Sequence, residues 1–285
     1  MFILSAFADE ISPDPREQVA VLKACGVRHI EFRSIHGTNV LALTDAQVRE
    51  FKTLLDGEGF KLSAIGSPVG KVAIDSPFEP HLDKLKRAIE LCGLFGTPNI
   101  RVFSYYPPGN DPKFDPANWP AHRDEVIRRM RAKAEIAAAA GVTLFHENEH
   151  RIYGDSPDRV LDIMAGVDHP ALRAAYDAAN YAYGGFDPVA GWEKTKAYTA
   201  HFHIKDWKLG GPSAGHDHGV LAGSGDGNIA HSTRDAAKRG YHGFAVLEPH
   251  LRGGGPTGGV TGPDLFPVAV EAFRTILRDC GGREG

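Results

Sequence analysis

The sequence predicts an α/β protein that forms a single (β/α)8 TIM barrel over residues 1–285. Short β-rich runs alternate with longer segments of helical period, as in βα units around a parallel sheet. Eight such units can be counted in the 285 residues, which gives about 36 residues per unit and suits a barrel with modest insertions. No break in composition marks a linker, so we expect one domain.

The strand predictions rest on short apolar or β-branched runs that are bounded by turn residues. They cover residues 2–8, 27–33, 61–67, 99–105, 142–148, 172–178, 201–206 and 244–249.

The helix predictions rest on apolar residues that recur at i, i+3, i+4 and i+7, and on end signals such as Thr44 before the second helix. They cover residues 15–25, 44–59, 81–96, 124–141, 156–167, 187–198 and 266–280. An open doubly wound sheet is the structural alternative. It would need a glycine-rich phosphate turn after the first strand, and residues 8–15 contain no glycine.

Composition narrows the classes of function. The chain is 42% hydrophobic and 24% charged, with a formal net charge of −4, so no excess of basic residues indicates a nucleic-acid or membrane-surface partner. Three cysteines without CxxC spacing favour a reducing compartment. The apolar start of the chain resembles a strand more than a signal peptide. We therefore expect a cytoplasmic protein that binds neither nucleic acid nor membrane.

Four successive strand candidates in the second half of the chain end in a carboxylate or an imidazole. These strand-end residues are Glu147, Asp177, His203 and Glu248. In a parallel barrel all the carboxyl ends of the strands open onto one face, so residues far apart in sequence can meet there. A single carboxylate at a strand end can be a helix cap or part of a surface ion pair, but four successive strand ends with such residues are not readily explained in this way. Charged residues that are buried are normally paired or bound to metal.

Strand alternation tests this cluster. His201, His203 and Lys205 share one face of their strand, and that polar face must point into the barrel mouth. Glu147 and Glu149 also share a face, so alternation does not choose between them, although Glu147 is nearer the strand end. Two glutamates, an aspartate and a histidine suit one divalent ion, Mn²⁺, Mg²⁺ or Co²⁺, and also permit Zn²⁺. The lack of cysteine ligands argues against a closed structural zinc site.

Several segments resemble one known family, the xylose isomerase-like TIM barrel superfamily, in its sugar or sugar-phosphate isomerase/epimerase branch. The matching segments are HENEHRIYGD (146–155), YDAAN (176–180), HFHIKD (201–206), GSGDG (223–227) and VLEPH (246–250), with weaker support from HIEFR (29–33). The superfamily also includes ketose 3-epimerases, inosose dehydratases and, more remotely, endonuclease IV.

The resemblance implies that Glu147, Asp177, His203 and Glu248 bind the metal, as the matching residues of ketose 3-epimerases do. Two positions depart from that group. Asn180 stands where those epimerases carry a substrate-contacting histidine, and their arginine beyond the strand-7 histidine has no clear match. The family also suggests a possible homo-oligomer.

A metal that binds a carbonyl and the adjacent hydroxyl acidifies the C–H bond between them. Glu147 and Glu248 could then act as two bases on opposite sides of a small sugar substrate, one removing and one returning the proton. This predicts a metal-dependent sugar isomerase or epimerase. We expect substrate contacts from Glu31, His150, Asn180, His201 and Lys205, and an apolar wall from Phe7 and Trp207.

Three alternatives remain open from the sequence. Loss of a β-hydroxyl would make the protein a dehydratase of the inosose type. An endonuclease IV-like nuclease would need further His and Glu ligands on strands 2 to 4, and KLSAIGSP and NIRVFSYY offer none. A non-catalytic sugar-binding barrel would keep the metal for ligand binding. The glycine-rich loops 223–227 and 252–255 are candidates for binding a substrate phosphate.

Overall fold

The computed structural model describes residues 1–210, 219–253 and 258–285. Eight parallel strands form a closed barrel in which each strand pairs with the next in sequence and the last pairs with the first. The predicted (β/α)8 fold is therefore confirmed. The barrel strands are β1 (Phe2–Ala6), β2 (His29–Phe32), β3 (Lys61–Ile65), β4 (Asn99–Val102), β5 (Thr143–Glu147), β6 (Leu172–Asp177), β7 (Thr199–Ile204) and β8 (Gly243–Leu247).

Helices pack around the outside of this barrel. They are α1 (Pro15–Ala24), α2 (Asp45–Glu58), α3 (Glu79–Phe95), α4 (Arg123–Ala139), α5 (Pro157–Val167), α6 (Ala178–Tyr183), α7 (Pro188–Thr195), α8 (Ile229–Lys238) and α9 (Phe266–Asp279). A two-stranded antiparallel hairpin, Ser34–Ile35 with Thr38–Asn39, follows β2. Short 3-10 helices occupy Ala8–Glu10, Val40–Ala42, Pro108–Asn110, Pro116–His122 and Tyr153–Asp155.

Local sequence explains where several of these helices begin. The Thr44 side chain accepts a hydrogen bond from the Gln47 N–H, and the Gln47 side chain accepts one from the Thr44 N–H, so a capping box starts α2 as predicted. The Ser156 side chain accepts a hydrogen bond from the Arg159 N–H and so caps the start of α5. Helix α8 was not predicted from its sequence, and neither was the hairpin.

The hydrophobic core lies between the outer face of the barrel and the helices. On one side, the rings of Phe32, Phe51 and Phe95 meet with centroids 4.5 to 6.3 Å apart, which fastens β2 to α2 and α3. Aromatic rings at these separations add to the stabilisation from burying their apolar area. The outer faces of the strands are thus covered, and the polar inner positions near the carboxyl ends of the strands are left to form a site.

Among the described residues, no helix combines the length and the apolar character that crossing a bilayer requires.

Candidate metal centre and active site

Strand register brings the four strand-end residues together. Asp177 on β6 lies directly opposite His203 on β7, and Glu147 on β5 pairs with Ala175 of β6. Glu248 directly follows β8. All four are buried, and one ligand atom from each lies within 4.8 Å of those of the other three. The geometry therefore brings together the residues predicted to bind a metal.

Each of the three carboxylates has one oxygen that accepts a hydrogen bond from a neighbouring donor. The pairs are Arg101 Nη1 to Glu147 Oε2 (3.2 Å), the Asn180 N–H to Asp177 Oδ1 (2.9 Å) and Arg33 Nη1 to Glu248 Oε1 (2.8 Å). The second oxygens of Asp177 and Glu248 accept no hydrogen bond. The second oxygen of Glu147, Oε1, accepts a long one of 3.4 Å from Asn180 Nδ2 and lies 2.9 Å from His203 Nδ1.

The remaining atoms test whether a metal fits. Asp177 Oδ2 and Glu248 Oε2 are buried and accept no hydrogen bond, and the cation near them is Lys205 Nζ, at 2.9 and 3.6 Å. His203 Nδ1 is also buried, and its neighbours are the carboxylates of Glu147 and Glu248. Buried polar atoms without partners are costly, and buried charges need a counter-charge. Three oxygen donors and one imidazole nitrogen are a suitable set for a divalent ion such as Mn²⁺ or Mg²⁺. The residues present thus fit a metal ion.

Burial and crowding shift the pKa values of these carboxyl groups. The pKa of Asp177 is raised to about 6, first by burial and then by the charges of Glu147 and Glu248, although Lys205 opposes the shift. Burial also acts to raise the pKa of Glu248, but Lys205, His250 and Arg33 hold it well below its usual range. Carboxyl groups this close to one another do not readily all lose their protons, unless a cation lies between them.

His203 lies between two carboxylates. Its Nδ1 is 2.9 Å from Glu147 Oε1, and its Nε2 is 3.4 Å from Glu31 Oε2. Burial raises the pKa of Glu31, but the neighbouring His203 and His201 lower it below its ordinary value. Burial lowers the pKa of His203, but the carboxylates of Glu147 and Glu31 raise it overall to about 10. A metal ion on Nδ1 would take the place of the proton there, and the Nε2 proton would stay with Glu31.

The residues predicted to contact substrate fall into two groups. Lys205, Asn180 and His150 line a cavity of about 180 Å³ above the four metal-ligand candidates. Glu31 and His201 are instead buried behind these candidates, with His201 Nε2 2.7 Å from Glu31 Oε2 and its ring stacked on Phe145 at 4.7 Å. A larger groove of about 500 Å³ lies between α1 and α2, away from the strand ends.

Several residues of this cavity were not identified from the sequence. They are Arg33, Lys71, Arg101 and Tyr183. Alternation could have identified Arg33, because it lies two residues after Glu31 on the same strand face. Lys71 gave no such signal, because it lies in a loop, where its Nζ contacts Glu149 at 2.7 Å.

Of the two aromatic residues expected to form an apolar wall, Trp207 lines the cavity and packs edge-on against Tyr183 at 5.3 Å. Phe7 is fully buried, with the guanidinium groups of Arg33 and Arg101 4.4 and 4.7 Å from its ring centre. Phe7 therefore supports the two arginines that hold the candidate metal ligands.

The glycine-rich loop 223–227 does not present its N–H groups to the cavity. The N–H groups of Gly223, Gly225 and Gly227 donate to the carboxylate of Asp206 at 2.8 to 2.9 Å. Its donors are thus occupied by a side chain of the protein itself. The second loop considered for phosphate, 252–255, lies partly outside the described residues.

Two known enzymes are similar in sequence to this chain. The chain is 24% identical over 182 residues to a 3-dehydroshikimate dehydratase of Bacillus anthracis, a match that covers 64% of this chain and 62% of that protein. It is 25% identical over 234 residues to a D-psicose 3-epimerase of Ruminiclostridium cellulolyticum, covering 75% of this chain and 72% of that protein.

A solved xylose isomerase-like TIM barrel protein of Mycobacterium smegmatis, in complex with magnesium, has a TM-score of 0.72 at 22% identity. That likeness covers 98% of this chain and 96% of the other. Residues 19–275 match the family described as Xylose isomerase-like TIM barrel. The chain therefore belongs to the xylose isomerase-like TIM barrel family.

Proposed function

We propose that this protein is a metal-dependent isomerase or epimerase that acts on a small sugar or sugar phosphate by removing a proton next to a carbonyl. The observation that carries the proposal is the arrangement of Glu147, Asp177, His203 and Glu248, whose ligand atoms lie within 4.8 Å of one another beneath a small cavity. Two relatives, a dehydratase and a 3-epimerase by name, support an enzymatic role.

The four residues would hold one divalent ion, which when bound supplies positive charge that stabilises an oxyanion of the substrate. Glu147 and Glu248 lie on β5 and directly after β8, three strands apart around the barrel. They can therefore face a substrate from different sides, and one can remove a proton that the other returns.

Two buried arginines orient these glutamates. Arg101 binds one oxygen of Glu147, and Arg33 binds one oxygen of Glu248, which turns the second oxygen of each glutamate toward the shared centre. Arg33 also contacts Asp9 at 2.9 Å, so its own position is fixed. Such preorganisation matters because a base misplaced by about 1 Å can lose roughly a hundredfold in rate.

Dehydration is the second candidate reaction, and two observations favour it. The match to the B. anthracis dehydratase covers 64% of this chain. Lys205 Nζ also lies 3.6 Å from Glu248 Oε2 and lines the cavity, where its ammonium could donate a proton to a leaving hydroxyl. Elimination and epimerisation share their first step, which is proton removal beside the carbonyl.

The test is exchange of the substrate's α-proton with solvent deuterium, followed by NMR on a panel of ketoses, ketose phosphates, inososes and keto acids with added Mn²⁺. Glu147→Gln and Glu248→Gln should each lose exchange by about a hundredfold or more, even at saturating Mn²⁺. Asp177→Asn is the matched control, because Asp177 is a candidate ligand without a base role, and its exchange should recover at high Mn²⁺.

The outcomes separate the possible functions. Exchange that persists in both glutamine variants would contradict the two-base mechanism. A product that has lost water and absorbs in the ultraviolet would identify a dehydratase. Tight sugar binding without exchange would identify a binding protein, and cleavage of abasic-site DNA at low salt would identify a nuclease.

A further inference from the structure

Lys205 lies among the atoms that are left free for the metal. Its Nζ is 2.9 Å from Asp177 Oδ2 and 3.6 Å from Glu248 Oε2. These are the two carboxylate oxygens that accept no hydrogen bond, and the Lys205 side chain is only 6% exposed. The ammonium group therefore makes ion pairs with two of the candidate ligand atoms.

An ion bound at these oxygens would lie close to the ammonium. Divalent metals bind carboxylate oxygens at about 2.0–2.2 Å. An ion on Asp177 Oδ2 would thus be at most about 5 Å from Nζ, given the 2.9 Å contact. The two cations repel each other at that separation, and they compete for the same two oxygens.

The two arginines of the site are placed differently. Arg33 Nη1 binds Oε1 of Glu248, and Arg101 Nη1 binds Oε2 of Glu147. Each takes the carboxylate oxygen that points away from the shared centre, so both contacts are compatible with a bound ion. Lys205 instead contacts the oxygens that the ion needs.

We propose that Lys205 is a tethered cation that neutralises Asp177 and Glu248 in the metal-free protein and is displaced into the cavity when the metal ion binds. The cavity gives the side chain a place to move, since Lys205 already lines it beside Asn180 and Trp207. The ammonium then faces the substrate site, so metal binding precedes and prepares substrate binding. The inference rests on the proposed function through the shared metal centre.

The consequence is a direct effect on metal affinity. Replacing Lys205 by a neutral residue leaves the ligand carboxylates unneutralised in the metal-free state and removes the repulsion in the metal-bound state. Both effects favour the ion, so Lys205→Met should bind Mn²⁺ at least tenfold more tightly than the wild type. Lys205→Gln, whose new side chain is polar and neutral, should also bind Mn²⁺ more tightly than the wild type.

Calorimetric titration of metal-stripped protein with Mn²⁺ measures the metal affinity without any substrate. The matched control is Lys71→Met, because Lys71 lines the same cavity but contacts Glu149, which is outside the ligand group. Its Mn²⁺ affinity should stay within threefold of wild type. A second readout is thermal unfolding, in which Mn²⁺ should raise the Tm of Lys205→Met by more than that of the wild type.

Two results would overturn the inference, and they differ in what else they affect. If the wild type binds Mn²⁺ and both Lys205 variants bind it no more tightly, Lys205 does not compete with the ion, while the metal centre stands. If neither the wild type nor the variants bind Mn²⁺, the inference and the proposed function both fail.

Discussion

At the scale of single residues, Glu31 has a different position from the one expected. It was predicted to bind a substrate hydroxyl, but it is fully buried against the rings of His201 and His203. A carboxylate behind a metal-binding histidine fixes the orientation of the ring and the nitrogen that carries the proton. We therefore expect Glu31 to increase the affinity of the site for metal by holding the His203 ring in place.

Glu31→Gln should therefore weaken Mn²⁺ binding by about tenfold to a hundredfold, because the amide no longer holds His203 with a negative charge. Calorimetric titration with Mn²⁺ measures the change. Glu149→Gln is the control, since Glu149 contacts Lys71 at the cavity and not His203. Equal Mn²⁺ affinity in wild type and Glu31→Gln would show that Glu31 does not orient the ligand.

A second residue of interest is Lys133 on α4, which is not among the candidate ligands or the cavity residues. It is fully buried, and its Nζ donates to the Phe103 carbonyl at 3.2 Å and lies 4.5 Å from the ring centre of Tyr105. Burial and, to a smaller extent, the positive charge of Arg129 together lower the pKa of Lys133 to about 7. The charged form is thus unfavourable in the folded protein.

This predicts a pH-dependent stability. Between about pH 7 and the unfolded value near 10.4, the unfolded chain binds more protons at Lys133 than the folded chain, so the stability contributed by this group rises with pH. Lys133→Met should remove that rise and stabilise the protein at pH 7 or below by about 1–4 kcal/mol.

Urea unfolding at several pH values between 6 and 10 checks this expectation. Lys86→Met is the control, because Lys86 is largely exposed and its replacement should change stability by less than about 0.5 kcal/mol. An unchanged pH slope in Lys133→Met would mean that Lys133 is solvated or paired in solution.

At the scale of elements, Asp206 determines the shape of the loop after β7. Its buried carboxylate accepts hydrogen bonds from the N–H groups of Gly223, Gly225, Gly227 and Trp207. A Cβ on Gly225 would lie 2.3 Å from Asp206 Oδ1, so only glycine fits that position without movement. This contact holds loop 223–227 beside the segment that carries Trp207 into the cavity wall.

Asp206→Ala should destabilise the protein by about 2–4 kcal/mol, because it leaves buried N–H groups without an acceptor. Amide hydrogen exchange at Gly223, Gly225 and Gly227 should become much faster. Asp226→Asn is the matched control on the same loop, since the exposed ion pair of Asp226 with Lys208 contributes little to stability. Unaltered exchange in Asp206→Ala would refute this role.

Strand ends were the least predictable part of the elements. All eight barrel strands were predicted to continue for one to three residues beyond their observed carboxyl ends, as in the fourth, which ends at Val102 and not at residue 105. Tyr105 adopts a positive φ of 78°, which is incompatible with a strand, and it is held there by tertiary contacts. Helix α8 was missed because its ten residues carry few apolar side chains.

At the scale of the whole molecule, closure of the barrel makes the site. Contacts between β1 and β8 join residues about 240 positions apart, as in the pairing of Ala6 with Leu247. Closure brings Arg33, which follows β2, to 2.8 Å from Glu248, which follows β8. The barrel, and not any single motif, therefore determines which charged residues are neighbours.

The sequence by itself predicted the barrel from local patterns, and it predicted the four candidate ligands from those patterns together with the family resemblance, which favoured Glu147 over Glu149. Hydrophobic period identifies strands and helices, and parallel strands must open their carboxyl ends onto one face. Only the tertiary structure decided the partners of each side chain. It shows which oxygen of each carboxylate accepts a hydrogen bond and that Arg33 and Arg101 enter the site. It also shows that Lys205 contacts the oxygens of Asp177 and Glu248 that accept no hydrogen bond. Those contacts join residues distant in sequence, and their distances depend on register and packing, which local patterns do not encode.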